Sequence, residues 1–292
     1  MNFGNLSRFL FVCALSATAA CDNAASDSKG PAPAKPASSA DAFAFRVPDI
    51  DDITDSAMRE SITRGRAILE ATRDSLPHNA GNSLRCTSCH LSDGTARNAL
   101  PWVGVYSRYP EYSARAGHVE TIEDRINDCF ARSLNGRALG ASTSQMRDIV
   151  AYMAFLSRGV PAGSNVDGQG LPQLPKMSGD TARGLAVFTG TCARCHGNAG
   201  QGTAIAPALW GPRSYNDGAG IGRVRVLASF VHEVMPLDKP RTLTAQQAYD
   251  VAAYIDSRPR PSFPARVNDW PNDPPPPDLG YRVGRGTHSL PR

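Results

Sequence analysis

The sequence of 292 residues lacks any apolar run long enough to cross a bilayer, which takes about 20 residues, because its longest run covers only residues 9–17. Strand signals are sparse, which indicates a mainly helical architecture.

A large excess of one charge is also missing, since the sequence has 31 Lys and Arg residues and 27 Asp and Glu residues, for a net charge of +4. This balance argues neither for nor against a nucleic-acid partner, and we expect none. The mild basic excess suits a small anionic substrate or an acidic protein. The length fits two compact modules with appendages.

The N-terminus has the pattern of an export signal. Arg8 precedes the apolar run and small residues follow it, which is typical of a secretory signal over residues 1–20 and predicts a periplasmic protein. Cys21 comes next, so it is either the lipid anchor of a lipoprotein or a cysteine beside an ordinary cleavage site. Residues 22–40 offer almost nothing large to bury, so we expect a flexible tether over residues 21–48.

Two similar passages follow the tether and indicate an internal duplication. Each contains a Cys-x-x-Cys-His motif and, farther on, a helical pattern with a tyrosine, Tyr152 or Tyr254, that lies 62 or 58 residues after the motif histidine. A Gly/Pro-rich stretch between the passages has the composition of a linker. The predicted divisions are an N-terminal domain over residues 49–158, a linker over 159–178, a C-terminal domain over 179–260 and a tail over 261–292.

The spacing of apolar residues predicts a helix at the start of each passage. These helices cover residues 56–71 and 180–188, the second with Asp180 as its N-cap. A further helix over residues 146–156 carries the first tyrosine. Residues 71–85, which include a proline and a glycine, are expected to form a loop.

Both Cys-x-x-Cys-His motifs are attachment sequences for c-type haem. The two thiols form thioethers to the porphyrin, and the adjacent histidine becomes the proximal iron ligand. A single copy also suits a thiol redox pair or half of a zinc site, but two copies in the same helical context on an exported chain disfavour both. We predict two covalently bound haem c groups in an all-α fold of two tandem cytochrome c-like haem domains with long ordered loops. The predicted haem-binding residues are Cys86, Cys89, His90, Cys192, Cys195 and His196.

The distal iron ligands are predicted to differ between the two modules. Met235 lies 39 residues after His196, where small c-type cytochromes carry a distal methionine, and Cys129 lies 39 residues after His90. A bare thiol is a liability in an oxidising compartment, and ligation to iron removes it. Cys129 is otherwise a buried free thiol. The alternative distal ligands are His118, Met146 and Met153 in the first module and His232 and Lys239 in the second.

Unlike ligands give the two haems unlike potentials. A thiolate lowers the potential of the iron, whereas methionine raises it. Electrons should therefore enter at the site of His90 and Cys129 and leave through the site of His196 and Met235, which is an arrangement for oxidising a substrate.

Residues 125–139, RINDCFARSLNGRAL, closely resemble the surroundings of the haem-ligating cysteine in bacterial thiosulfate dehydrogenases. Residues 113–119 match the same family. The resemblance extends over about residues 60–260, through the second-module segments 206–211, 214–216, 218–220 and 248–254. It implies oxidation of two thiosulfate ions to tetrathionate, reversible in some members, with electrons passed to an external acceptor such as a small cytochrome c or a high-potential iron-sulfur protein.

The resemblance also implies a set of catalytic residues. Arg115 and Arg125 match family arginines beside the active haem, where guanidinium groups suit oxyanions through paired hydrogen bonds. Ser133 and Asn135 are expected to donate further hydrogen bonds. Cys129 is expected to leave the iron and form a transient sulfur adduct with one thiosulfate, which uses the nucleophilicity of a thiolate.

Two features depart from the family pattern. Asp128 stands where members often carry an uncharged residue, and it adds negative charge near the expected anion site. Residues 261–292 keep an Asp269-Trp270-Pro271 element but otherwise show no chemistry. Two alternative functions stay open: an electron carrier without a substrate of its own, and a sulfur-transfer subunit of a thiosulfate-oxidising system.

Overall fold

A computed structural model of the chain describes residues 42–284. The predicted signal over residues 1–20, Cys21 and most of the tether lie outside that range, as do residues 285–292. Within residues 42–284, none of the helices is both long and apolar enough to cross a membrane. These residues all belong to one compact unit.

The N-terminal module has a long helix near each end and ordered loops between them. Its elements are α1 Ser56–Glu70, α2 Thr72–Ser75, α3 Leu91–Gly94, β1 Glu111–Ser113, β2 His118–Glu120, α4 Ile122–Arg132 and α5 Ser144–Phe155. The helices predicted over residues 56–71 and 146–156 are confirmed to within two residues. The loop predicted over residues 71–85 was wrong in part, because α2 forms there. The antiparallel hairpin of β1 and β2 was also missed, since three-residue strands are too short to show an alternating pattern.

The second module repeats this plan with α6 Thr181–Val187, α7 Ala193–His196, α8 Val224–Val234 and α9 Ala245–Asp256. The N-cap at Asp180 is confirmed, because its side chain accepts a hydrogen bond of 2.8 Å from the backbone N–H of Arg183. A π-helical turn, Phe188–Cys192, leads from α6 straight into the second haem motif. Short 3₁₀ turns complete the chain at Ile50–Asp52, Cys86–Ser88, Tyr106–Arg108, Gly220–Gly222 and Pro264–Asn268.

A glycine sets the crossing of α1 and α5. A Cβ atom on Gly65 would stand 1.9 Å from the backbone carbonyl oxygen of Asp148, so only glycine permits this close approach. The Asp148 carboxylate accepts hydrogen bonds from Arg64 at 2.9 Å and from Ser61 at 2.6 Å. The adjacent arginine and glycine of α1 thus fix the position of α5.

The second module uses the same crossing between α6 and α9. A Cβ atom on Gly184 would stand 2.0 Å from the carbonyl oxygen of Asp250. Arg183 donates from Nε to the Asp250 carboxylate at 2.7 Å, and this ion pair lowers the pKa of Asp250 to about 2. The recurrence of an Arg-Gly pair against an aspartate supports the internal duplication.

The aromatic packing beside each motif is duplicated as well. Trp102 meets Tyr152 edge-on, with ring centroids 6.2 Å apart and planes at 81°. In the second module Trp210 meets Tyr254 at 5.7 Å and 88°. The two tyrosines that identified the repeat in the sequence therefore have the same structural role.

The two modules share an apolar interface cluster. Ala99 from the first module is buried against Phe230 and Val234 from α8, and Leu100 and Met235 pack against this group. Leu100 follows the first haem motif by ten residues and Met235 directly follows α8. The surroundings of the first motif and of the predicted second distal ligand are therefore in contact.

Polar contacts reinforce this interface. The buried side chain of Asn82 donates to the carbonyl oxygens of Ser133 and Ser214, both at 2.9 Å. Tyr215 and Ala219 of the second module belong to the core cluster of the first. The first module therefore depends on the second to complete its core.

The first part of residues 159–178, predicted as a linker, packs against the first module, whereas Leu174 packs against the core of the second. Val166 is buried and forms a parallel bridge with Phe43. Gln169 donates from Nε2 to the carbonyl oxygen of Val103 at 3.1 Å. Gln169 and Gly170 of this segment line the cavity beside the first haem motif.

Candidate active site

The first Cys-x-x-Cys-His motif runs through a 3₁₀ turn and ends at His90. The Nδ1 atom of His90 lies 2.5 Å from the carbonyl oxygen of Leu100, and the ring stacks on Trp102 at 4.8 Å. This contact assigns the hydrogen to Nδ1 and leaves Nε2 with a lone pair, the form in which histidine binds a metal. Burial lowers the pKa of His90 to about 4 and keeps the ring neutral.

The second motif presents its histidine in the same way. The Nδ1 atom of His196 lies 2.8 Å from the carbonyl oxygen of Pro207. Burial lowers the pKa of this histidine too. The rings of Phe188 and Trp210 pack beside the motif with their centroids 5.0 Å apart, and both belong to the buried core of the second module. Both motifs therefore offer two thiols and a neutral imidazole with a free Nε2.

A cavity of about 380 Å³ lies against the first motif. Cys86, Cys89 and His90 line it together with Cys129, which α4 carries. Much of the remaining wall is apolar and includes Leu69, Leu84, Val105, Ile126, Phe130 and Leu134. A pair of thiols for thioether links, a neutral histidine, a further sulfur and apolar walls fit a c-type haem. We name this space the haem cavity.

The structure separates the alternative distal ligands of the first module. Met153 lines the haem cavity, as Cys129 does. His118 is exposed on β2 and bonds only to the carbonyl oxygen of Ala116 among its described contacts. Met146 is fully buried in the apolar core and lines a different groove of the first module. Cys129 and Met153 are thus the two predicted candidates that the fold brings to the cavity.

Met235 stands at the C-terminal end of α8. It is partly buried and packs against both the core of the second module and the interface cluster. His232 lies one turn earlier on α8 and is partly exposed, whereas Lys239 is exposed. Among these three, Met235 has the apolar surroundings that suit a thioether.

Charged side chains surround Cys129. Arg125 donates from Nη1 to the Cys129 sulfur at 3.0 Å. Asp128, directly before Cys129, contacts Arg115, accepts from Arg132 at 2.5 Å and lies 3.6 Å from Arg125. The negative charge that we expected to oppose an anion is therefore shared among three guanidinium groups.

Arg115 and Arg125 respond differently to these surroundings. Burial lowers the pKa of Arg115 to about 10, with repulsion from Arg132 and Arg125 adding to the effect. Electrostatic attraction to Cys129 raises the pKa of Arg125 and is the largest effect on it. Burial acts in the opposite direction and is the next largest. Both arginines are protonated at neutral pH, so they present partly buried positive charge beside a sulfur atom.

Ser133 and Asn135 occupy different positions. Ser133 lines the haem cavity. Asn135 has a positive φ of 46° and accepts a hydrogen bond of 3.1 Å from Asn216 of the second module. It does not belong to the wall of the haem cavity described above, so its side chain serves a contact between modules.

A second cavity, of about 310 Å³, adjoins the haem cavity and shares Tyr109, Glu111 and Arg125 with it. Arg115 and Arg223 also line it, the latter supplied by the second module. Further wall residues are Ser113, Glu120, Gly218, Ala219, Gly220, Trp270, Pro276, Leu279 and Tyr281. We name this space the arginine cleft. It lies between the two modules and the C-terminal tail, and Arg125 on its wall contacts Cys129.

Sequence reasoning missed several residues of this site. Arg132 follows Asp128 by one helical turn, a spacing that favours an ion pair and was available from the sequence. Arg223 and Asp269 had no such signal, because each is far along the chain from Cys129. Only the packing of the second module and of the tail brings them near.

Two domain families match the chain. The family described as "SoxA/TsdA, cytochrome c domain" matches residues 77–162, and the family described as "Cytochrome c" matches residues 181–259. These matches confirm the prediction of two cytochrome c domains in tandem, and they indicate c-type haem binding by both.

Similarity over most of the chain gives the same result. The chain is 44% identical over 237 residues to the thiosulfate dehydrogenase of Allochromatium vinosum, covering 77% of this chain and 88% of that one. It is 40% identical over 242 residues to that of Psychrobacter arcticus, covering 80% and 74%. The solved thiosulfate dehydrogenase (TsdBA) of Marichromatium purpuratum, as isolated, superposes with a TM-score of 0.71 at 35% identity and covers 75% of this chain. This chain spans half the length of that solved chain.

Proposed function

Because this chain belongs to the thiosulfate dehydrogenase family, we propose that it is a haem enzyme that oxidises two thiosulfate ions to one tetrathionate ion. The observation that carries the proposal is the meeting of the first haem motif, Cys129 and Arg125 on one cavity. A carrier that only relays electrons needs no arginine-lined cleft beside a candidate iron ligand. The electrons pass to an external acceptor, proposed to be a small cytochrome c or a high-potential iron-sulfur protein.

The two haem c groups are held by the two Cys-x-x-Cys-His motifs, with Cys129 and Met235 as the proposed distal ligands. When bound, they supply electron acceptors of unlike potential, the thiolate-ligated iron being the lower. The free Nε2 atoms of His90 and His196, each set by a bond from Nδ1 to a backbone carbonyl, support this assignment.

The arginine cleft is the proposed entrance for thiosulfate. Two dianions repel each other in water, so their approach needs fixed positive charge. Arg115 and Arg125 line the cleft and provide guanidinium groups that hydrogen-bond oxyanions in a defined orientation. Ser133 on the adjoining haem cavity supplies a further hydroxyl donor.

Cys129 is the proposed nucleophile. Its thiolate and the outer sulfur of one thiosulfate form an S–S bond with loss of two electrons, which the external acceptor takes up. Haem groups held by the two Cys-x-x-Cys-His motifs would supply the one-electron carriers between them. A second thiosulfate then attacks this bond, which releases tetrathionate and restores the thiolate. No proton is transferred in either step, and Arg125 stabilises the thiolate at its start and end through the hydrogen bond to sulfur.

Replacement of Cys129 by glycine tests the chemistry. We expect Cys129→Gly to keep both haems, seen by their absorbance, and to lose thiosulfate-dependent reduction of ferricyanide. Met153→Leu is the matched control, because it removes the other sulfur on the same cavity wall and should leave turnover intact. Activity retained in Cys129→Gly and lost in Met153→Leu would reverse the assignment.

An electron paramagnetic resonance spectrum of the oxidised protein tests the ligand pairs. The proposal requires a low-spin His/thiolate signal beside a His/Met signal. Two His/Met signals would remove Cys129 as a ligand.

Turnover by the purified chain separates the enzyme from the two alternative functions. An enzyme reduces ferricyanide on addition of thiosulfate alone. An electron carrier would not respond, and a sulfur-transfer subunit would need its partner protein.

The proposed location is the periplasm. We further propose that a lipid on Cys21 anchors the protein to a membrane. The pattern of Arg8, the apolar run and the small residues before Cys21 supports export. The intact mass of the protein purified from cell envelopes tests this. A chain that starts at a diacylated Cys21 is expected, whereas an N-terminus at Met1 would contradict export.

A further inference from the structure

The C-terminal tail reaches the active cavity through a buried carboxylate. Asp269 is 4% exposed, and its two oxygens accept hydrogen bonds of 2.7 and 2.8 Å from the guanidinium of Arg132. Tyr281, farther along the tail, donates its hydroxyl to the same carboxylate at 2.5 Å. The tail lies beyond residues 77–162 and 181–259, the two segments that the cytochrome families match. Nothing in those matches gives it a role.

Arg132 passes this restraint to the substrate side of the cavity. Its Nε atom donates to Asp128 at 2.5 Å, while its two Nη atoms donate to Asp269. Asp128 in turn contacts Arg115 and Arg125. A continuous series of charge-assisted hydrogen bonds therefore runs from the tail to the arginines of the cleft, and such bonds are directional.

The same part of the tail also holds the backbone beside Arg115. The N–H of Trp270 donates to the carbonyl oxygen of Arg115 at 2.8 Å, and Asn272 donates to that of Gly117 at 3.1 Å. Two neighbouring residues, Asp269 and Trp270, thus restrain Arg115 through its backbone and through the carboxylate that its side chain contacts.

Without Asp269, Arg132 has one carboxylate instead of two. Its side chain is only 10% exposed, so water replaces the missing partner poorly. Asp128 would then be drawn toward Arg132 and away from Arg115 and Arg125. The cleft arginines would be without the partner that orients them, although the local positive charge would increase.

We propose that Asp269 is a positioning residue for thiosulfate oxidation, which acts through Arg132 and Asp128 to orient Arg115 and Arg125 beside Cys129. This inference rests on the proposed function and adds to it an element of the site that lies outside both haem domains. The tail is then part of the active site rather than an appendage.

The sign of the change in KM separates positioning from simple electrostatics. Asp269→Asn removes a negative charge, so an electrostatic role alone predicts tighter thiosulfate binding and a lower KM. Positioning predicts the opposite sign, a higher KM, with kcat/KM for thiosulfate about 10-fold to 100-fold lower, because a small displacement of orienting groups has effects of that size. Asp269→Glu, which keeps the carboxylate, is expected to recover part of the loss.

The control and a second readout complete the test. Asp273→Asn removes a carboxylate four residues farther along the tail that bonds only to Tyr112 among its described side-chain contacts, and it should leave kcat/KM unchanged. The His/thiolate signal in the paramagnetic spectrum of oxidised Asp269→Asn should shift, because Arg125 donates to the Cys129 sulfur. An unchanged spectrum with kcat/KM within about twofold of the parent, or a lower KM, would overturn the proposal. If the parent itself does not oxidise thiosulfate, the proposed function fails, while the spectral shift still tests the positioning of Arg125.

Discussion

Replacing Arg125 with glutamine removes the guanidinium that donates to the Cys129 sulfur at 3.0 Å. A hydrogen bond to a charged group contributes about 1.5–3 kcal/mol. The substitution also removes the 3.6 Å ion pair with Asp128, in which the arginine side chain is 40% exposed, and a pair of that kind contributes about 0–1 kcal/mol. The bond to sulfur is the stronger of these two contacts. Arg125 also lines the arginine cleft, where we propose that it hydrogen-bonds thiosulfate. Loss of one charge-assisted bond to the substrate, at the same value of about 1.5–3 kcal/mol, predicts a kcat/KM for thiosulfate about 10-fold to 150-fold lower.

Steady-state reduction of ferricyanide by the purified dihaem protein, at varied thiosulfate, measures this effect with kcat and KM resolved. Arg147→Gln is the matched control, because it removes the same charge from the same module at a residue that lines neither the haem cavity nor the arginine cleft. If Arg125→Gln stays within about threefold of the parent, the proposed bond from Arg125 to thiosulfate contributes less than about 1 kcal/mol to the transition state. The reasoning would then be refuted.

Two further predictions concern stability. Gly184→Ala places a Cβ atom 2.0 Å from the Asp250 carbonyl oxygen, so the free energy of unfolding should fall by about 1–3 kcal/mol, seen as a lower thermal midpoint; Gly190→Ala, whose Cβ meets nothing within 4 Å, should show no such fall. The pKa of Asp250 is held at about 2, below its usual 3.8, by the hydrogen bond from Arg183, so its stabilising contribution is complete above pH 4 and disappears as the pH falls toward 2. Asp250→Asn should therefore be less stable than the parent at pH 6 in a thermal melt, with the gap closing at pH 2; a constant gap would contradict this origin.

The sequence predicted those parts of the molecule that depend on local pattern. Both haem motifs, the N-cap at Asp180 and the helices over residues 56–71 and 146–156 follow from spacing that is contained within one segment. Cys129 was predicted from the repeat, because it lies as many residues after His90 as Met235 lies after His196. Its arrival on the haem cavity agrees with that comparison, and its ligation of iron stays a prediction.

Other features depend on contacts between distant segments and could not be predicted. His118 and Asn135 were weighed as ligand and donor from their neighbours in sequence, but one is exposed on a strand and the other bonds to Asn216 of the second module. The tail looked devoid of chemistry because Asp269 becomes meaningful only beside Arg132. Asp128 looked unfavourable because three partners for its charge were not visible together.

The interface cluster couples the surroundings of the two proposed iron sites. Leu100 fixes the ring of His90 through its carbonyl oxygen, and its side chain packs on the same cluster as Met235. A larger or smaller side chain at this position would therefore disturb both His90 and Met235, the proposed iron ligands of different modules. One apolar residue thus gives the packing a way to tune both proposed ends of the electron path at once.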